Sequence, residues 1–241
     1  MKECQLPVTA PLRATRSRRR KLSTSAIVII VLAVLVSLAW SYFMPAVPES
    51  DAAADGSASD SFEALDALPV KGKSPLTSYD REAKFGTAWT DVDDNGCDTR
   101  NDILQRDLTS IVTEGDCKVM TGVLVSPYTR ETISFVRGND TSAEVQIDHI
   151  VALANAWQTG ASKLSQDERV ALANDPLNLF AVDGRSNSQK GAGDAATWLP
   201  ASRTFRCVYV EHQIAVKEKY ELWVTPAEHD AIERILEGCA Q

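Results

Sequence analysis

The nineteen residues from Ala26 to Met44, AIVIIVLAVLVSLAWSYFM, carry no charged side chain. As a helix this run extends about 28 Å, close to the hydrocarbon thickness of a bilayer. It is apolar on every side, and such a helix belongs in lipid or deep inside a large core. Arg18, Arg19, Arg20 and Lys21 stand just before it. A basic cluster of this kind holds its side of a spanning helix in the cytoplasm. The sequence therefore predicts a basic cytoplasmic segment at 1–25 and a transmembrane signal-anchor helix at 26–44. Everything beyond would lie outside a single-pass cell membrane. The alternative is secretion after signal cleavage. Ala39-Trp40-Ser41 matches a small-residue cleavage site poorly, and Ala52-Ala53-Ala54 lies far beyond the apolar run. The long basic leader favours the uncleaved anchor.

Residues 45–70 are dominated by Ala, Ser, Asp and Pro, without a sustained apolar period. That composition predicts a disordered tether. The folded unit would then be 71–241, roughly 170 residues, enough for one domain with a real core. Seven of the 25 Lys/Arg and one of the 33 Asp/Glu fall in residues 1–25, so the rest of the chain holds 18 basic and 32 acidic side chains. A broad basic coat for nucleic acid is excluded.

Four cysteines follow the apolar run: Cys97, Cys117, Cys207 and Cys239. An even count outside the cytoplasm implies disulfides, with three pairings possible. Arg203–Val224 and Pro226–Gly238 both show helical apolar spacing. Thr225-Pro226 between them reads as N-cap and first helical residue. A hairpin folded there brings Cys207 to Cys239, which leaves Cys97 for Cys117.

Earlier in the domain, Asp98–Val112 has helical spacing. Lys118–Val125 and Thr132–Val136 read as a β-hairpin, with Gly138-Asn139-Asp140 as a turn. Val145–Ile147 is a short strand leading into Asp148-His149. Ala152–Trp157 and Ser165–Ala173 read as helices, the second with a Ser165/Glu168 capping box. Leu177–Val182 is a strand, and a short helix starts near Ser186. This order of elements is α+β.

Of the three histidines, His212 and His229 fall on the terminal helices among charged neighbours and read as solvated. His149 differs because Asp148 precedes it at a strand end. Asn178 opens the next strand, and Asn187 and Lys190 follow on a short helix.

In these residues the chain resembles the HNH (His-Asn-His, ββα-metal) endonuclease family. It is most similar to a bacterial extracytoplasmic branch related to the C-terminal nuclease domain of modified-DNA-dependent restriction enzymes. The resemblance also takes in Gly96–Asn101, Asn155-Ala156-Trp157, Gly160-Ala161-Ser162, Ala173-Asn174-Asp175, Ser186–Lys190 and Trp198-Leu199-Pro200. Many relatives have Pro where this chain has Ala152, and Arg at or beside Ser188. The resemblance implies a ββα-metal core with an added hairpin and helices. It implies metal-dependent hydrolysis of DNA phosphodiesters. Asp148 and Asn187 would hold one divalent cation, and His149 would take the proton of water. Asn178 would brace the loop behind His149. Lys190 would meet the scissile phosphate, with Arg100 and Arg185 as further phosphate contacts. An oxygen-only ligand pair shifts the preference from Zn²⁺ towards Mg²⁺ or Mn²⁺. Two other functions share these residues: a non-catalytic cell-envelope binding module of the same fold, and a phosphodiesterase on another substrate.

Overall fold

Gly184 shows how closely the elements of this fold approach one another. A Cβ there would lie 2.1 Å from the Ala143 carbonyl oxygen, so only glycine fits where the last strand turns into a helix. The computed structural model describes residues 52–138 and 142–239. Gly184 opens a seven-residue helix, Gly184–Lys190, that follows two antiparallel strands, Val145–His149 and Leu179–Asp183. These three elements, β4, β5 and α6, form a ββα unit. Asp183 caps the helix by accepting from the Ser186 N–H at 2.8 Å.

The elements before and between them are α1 (Ala52–Ala67), α2 (Arg81–Phe85), α3 (Thr99–Asp107), β1 (Thr109–Glu114), β2 (Lys118–Val125), β3 (Thr132–Val136), α4 (Leu153–Gln158) and α5 (Gln166–Asn174). Two long helices end the chain, α7 (Arg206–Lys219) and α8 (Pro226–Cys239). The first sheet is antiparallel in the order β1-β2-β3, and β4-β5 is a separate ribbon. The mixed α+β class follows directly.

Three apolar clusters hold the domain. One packs Leu65, Leu68, Tyr128, Ile150, Tyr209, Ile214 and Ile232 between α1, α7 and α8. The second joins α2, α4 and α5 through Phe85, Trp157 and Leu172. The third fills the space between α3 and both sheets, through Leu104, Leu124, Phe135, Ile147 and Leu179. β4 thus has Ile147 in the third cluster while Ile150 just beyond it enters the first. The strand end carrying His149 is fixed from two sides.

Three expectations change. The second half of the expected tether is helical: α1 spans Ala52–Ala67, and Leu65 and Leu68 are buried. A few apolar residues at the end of a polar helix are enough to dock it, although the segment as a whole has no apolar period. The helix expected over Asp98–Val112 stops at Asp107. The β-branched Thr109, Ile111, Val112 and Thr113 continue as β1, an outer strand missed in the sequence. The helix expected over Arg203–Val224 ends at Lys219. Glu221 takes φ 50°, and Val224 then pairs in parallel with Val70.

The hairpin β2–β3 and the Ser165/Glu168 capping box are present as read. Among the described residues no helix is long and apolar enough to cross a membrane. Residues 26–44 lie outside the described residues, as do Asn139 and Asp140 of the expected turn.

Disulfides join Cys97 to Cys117 and Cys207 to Cys239. The second staples the N-terminal end of α7 to the C-terminal end of α8, the geometry the helical hairpin required. The cysteines of each pair are 20 and 32 residues apart. Loops of that size restrict the unfolded chain by about 3 kcal/mol each in the chain-entropy account. Replacing Cys97 and Cys117 by Ser is expected to lower the unfolding free energy by about that amount in a urea titration. A midpoint unchanged from that of the parent protein would exclude the bond.

Candidate active site

The strand period of two places Gln146 and Asp148 on one face of β4. Asn187 and Lys190, three residues apart, share one face of α6. These faces meet. Asn187 donates from Nδ2 to Gln146 Oε1 at 2.8 Å. Lys190 Nζ lies 3.1 Å from Asp148 Oδ1 and 3.0 Å from Oδ2, and donates to the His149 carbonyl at 2.7 Å. The Tyr128 hydroxyl donates a short hydrogen bond to Asp148 Oδ2. Burial and the adjacent Asp148 carboxylate both push the Tyr128 pKa well up, so Tyr128 keeps its proton for that bond.

His149 points the other way, as the next residue of a strand must. Its Nε2 lies 2.8 Å from the carbonyl oxygen of Ala173 at the end of α5. A carbonyl only accepts, so Nε2 carries the hydrogen and Nδ1 keeps a free lone pair. Trp89 stacks on the ring, with centroids 6.2 Å apart and planes 15° from parallel. Burial first, then the Arg81 guanidinium, lower the His149 pKa from 6.5 to about 3; Lys190 adds to this and the Ala173 bond opposes it.

That shift has a consequence for stability. The folded imidazole is neutral down to about pH 3, whereas in the unfolded chain it protonates near 6.5. Protons therefore favour the unfolded chain. The stability is full above pH 6.5 and falls as pH drops, by about 1.4 kcal/mol per pH unit until pH 3. Between pH 7 and pH 5 the protein is expected to lose about 2 kcal/mol more than its His149→Ala variant. Urea unfolding at both pH values measures this. Equal losses would show an imidazole of ordinary pKa.

Asn178 is fully buried and ties the chain after β4. Its Oδ1 accepts from the Val151 N–H at 2.8 Å, its Nδ2 donates to the Val151 and Leu172 carbonyls, and its own carbonyl accepts from Ile150 N–H. This clamps the turn that leaves His149.

Asp148, His149 and Asn187 line one cavity of 280 Å³, with Tyr79 and Arg81 on its rim. The donors suit a hard divalent cation: one carboxylate, one amide oxygen and no thiol. Of about four lone-pair directions on a carboxylate, Lys190 and Tyr128 take three on Asp148, which leaves one. With Nδ2 of Asn187 held by Gln146, its Oδ1 is the end left for a ligand. The remaining positions would be water, as Mg²⁺ prefers.

The other sequence-derived residues divide. Arg185 is exposed on α6, two residues before Asn187. Arg100 is half-buried and donates to the Val145 carbonyl at 3.2 Å, so it holds the start of β4 rather than facing the cavity. Lys190 is likewise turned inward, its side chain 0% exposed; its charge is committed to Asp148 rather than to a phosphate. His212 is half-buried rather than solvated, with Nδ1 2.9 Å from the Leu177 carbonyl.

Residues 98–235 match the family model described as GmrSD restriction endonucleases, C-terminal domain. The chain belongs to this family. It is also 35% identical, over 185 residues, to an uncharacterized secreted protein of Arthroderma benhamiae; the match covers 76% of this chain and 86% of that one. No solved structure matches. The family match accounts for a nuclease-type domain, and HNH-type domains generally use a divalent metal.

Four site residues were not read from the sequence. Arg81 and Trp89 precede the family match, in a segment whose only signal is the Asp80 cap of α2. Tyr128 lies in the turn between β2 and β3, where the sequence alone gives it no role. Gln146 was visible as a polar residue on the Asp148 face of β4, and strand alternation would have flagged it.

Proposed function

We propose that this chain is an extracytoplasmic endonuclease that hydrolyses DNA phosphodiester bonds with one divalent cation, Mg²⁺ or Mn²⁺ rather than Zn²⁺. The observation that carries the reading is that Asp148, Asn187 and His149 line one cavity, with the free Nδ1 of His149 set by the Ala173 bond. A bound cation would supply charge for the leaving oxygen and for the phosphate, and Asp148 and Asn187 are the residues that would hold it.

His149 accepts the proton of the attacking water at Nδ1, while Nε2–H stays on Ala173. Its low pKa keeps it unprotonated across ordinary pH but also makes it a weak proton acceptor. A phosphodiester docked on Arg81 would cancel part of the positive charge that depresses it. Asn178 and Lys190 act by position: the first sets the turn behind His149, the second orients Asp148. Arg81 is the exposed cation at the rim and the leading phosphate contact, with Arg185 next.

The disulfides, and the likeness to a secreted protein of Arthroderma benhamiae, support an extracellular location. Anchoring through residues 26–44 is part of the same proposal. Protease added to intact cells would then digest the domain, and survival until lysis would reverse the orientation.

A fold-keeping binding module is the second reading, favoured by the Lys190 ammonium already resting on both oxygens of Asp148. Plasmid nicking in Mg²⁺ or Mn²⁺ tests the choice. Nicking that is lost with chelator supports the nuclease, and no nicking by folded protein in either metal leaves the binding module or a phosphodiesterase on another substrate.

A further inference from the structure

A second cavity, of 430 Å³, opens beside the first and shares Arg81, His149 and Leu153 with it. Its size is that of a small-molecule pocket, and its character differs from that of its neighbour. Phe85, Trp89, Leu153 and Ala173 make most of the wall apolar. Arg81, Glu82, Thr87 and His149 give it a polar side, and one lining residue has a buried polar atom without a partner. Asn174 is 1% exposed, donates from Nδ2 to the Val170 carbonyl at 2.9 Å, and has a buried Oδ1 without a hydrogen-bond partner. A buried acceptor left unpaired costs about 1–3 kcal/mol, and a ligand N–H would remove that cost.

We propose that this cavity receives an unstacked nucleobase next to the scissile phosphate, so that the substrate is single-stranded or locally unpaired nucleic acid. The inference rests on the nuclease reading of the adjoining site. A nucleobase has the two properties the cavity asks for: a flat face for the apolar and aromatic wall, and an edge of amine or ring N–H groups for Asn174 Oδ1. Arg81, exposed and shared by both cavities, joins the phosphate side to the base side. The domain's charge points the same way. With 32 acidic against 18 basic side chains beyond residue 25, few phosphate contacts are available, and base stacking is the other large source of affinity. In a duplex the base must first be unpaired and unstacked, which costs a few kcal/mol; a single strand is spared most of that cost.

The test is fluorescence anisotropy of the full-length protein with a labelled 12-nucleotide single strand and with the same strand in duplex, both in chelator so that nothing is cut. Single-strand binding at least about tenfold tighter is expected, the range of one stacked base. Two variants probe the cavity: Ala88→Leu, which fills it from an exposed loop position that lines it, and Asn174→Leu, which removes the acceptor at similar volume. In each, the ratio of single-strand to duplex affinity is expected to fall about fivefold or more, with thermal unfolding confirming the fold. Equal affinities in the parent protein, or an unchanged ratio in a folded variant of either kind, would overturn the subsite. Parallel cleavage assays in Mn²⁺ separate the two ideas. Cleavage with equal affinities removes the subsite and keeps the nuclease, whereas a single-strand preference without cleavage keeps the subsite and removes the nuclease.

Discussion

His149→Ala is expected to cut DNA cleavage by roughly 10²–10⁴, the range for a positioned general base, while a calorimetric titration shows divalent-metal affinity within about twofold of the parent. The geometry requires this separation. The His149 ring is held by Ala173 and Trp89, and the Asp148 carboxylate by Lys190 and Tyr128, so the ring can be removed without disturbing the oxygens that would hold the cation. Asn187→Ala should show the opposite pattern, with weakened metal binding and partial rescue of cleavage at high Mg²⁺ or Mn²⁺. Asp148→Ala is a poor probe, because it strands the buried Lys190 ammonium and removes the acceptor of Tyr128. Asp148→Asn keeps the volume and one oxygen, and should lose metal affinity with less damage to the fold. If His149→Ala lost the metal and Asn187→Ala changed neither measurement, the imidazole would be a ligand and the base would have to be sought elsewhere.

The parts of the site visible in the sequence are those whose chemistry is local. Asp148-His149 at a strand end, Asn178 before the next strand and Asn187 on the short helix keep fixed spacings because one ββα unit carries them all. The disulfides were legible for a similar reason: Thr225-Pro226 forces a helical hairpin, and the hairpin sets Cys207 against Cys239. The rest depends on packing between segments far apart in the chain. Lys190 has the spacing of a phosphate ligand, but only the register of α6 on β4 turns its ammonium onto Asp148. Arg100 reads as a helix-surface cation, yet α3 lies against the start of β4 and spends it on the Val145 carbonyl. Arg81 and Trp89 reach His149 through the docking of α2 against α4 and α5, which no period within residues 71–97 announces. β1 and α1 were missed because each is an outer element: β1 is exposed throughout, and α1 docks by its last few residues.

The largest stability effect is expected far from the site, at Glu228. Lys217 and Glu228 are both 0% exposed, with Nζ 2.9 Å from Oε1 and 3.1 Å from Oε2. Lys217 also donates to the Trp223 carbonyl at 2.8 Å, and Glu228 accepts from the Thr225 N–H at the start of α8. The pair therefore locks the turn between α7 and α8 and the helix start together. Glu228→Leu leaves an ammonium buried without its counter-charge, a change that costs about 3–5 kcal/mol. For a domain of this size that lowers the melting temperature by roughly 6–20 °C. Burial already pushes the Lys217 pKa down, and Glu228 is the main influence opposing it, so the variant's lysine should release its proton. The unfolded chain then binds more protons than the folded one, and the variant's stability should rise as pH is raised towards 10. Lys217→Met in the Glu228→Leu background removes the stranded charge and should restore more than half of the loss. Full recovery is not expected, because the Trp223 carbonyl and Thr225 N–H lose their partners. Thermal unfolding of the parent, both single variants and the double variant measures the coupling. Strictly additive losses would mean that the ammonium reaches water on its own and that the pair does not hold the hairpin.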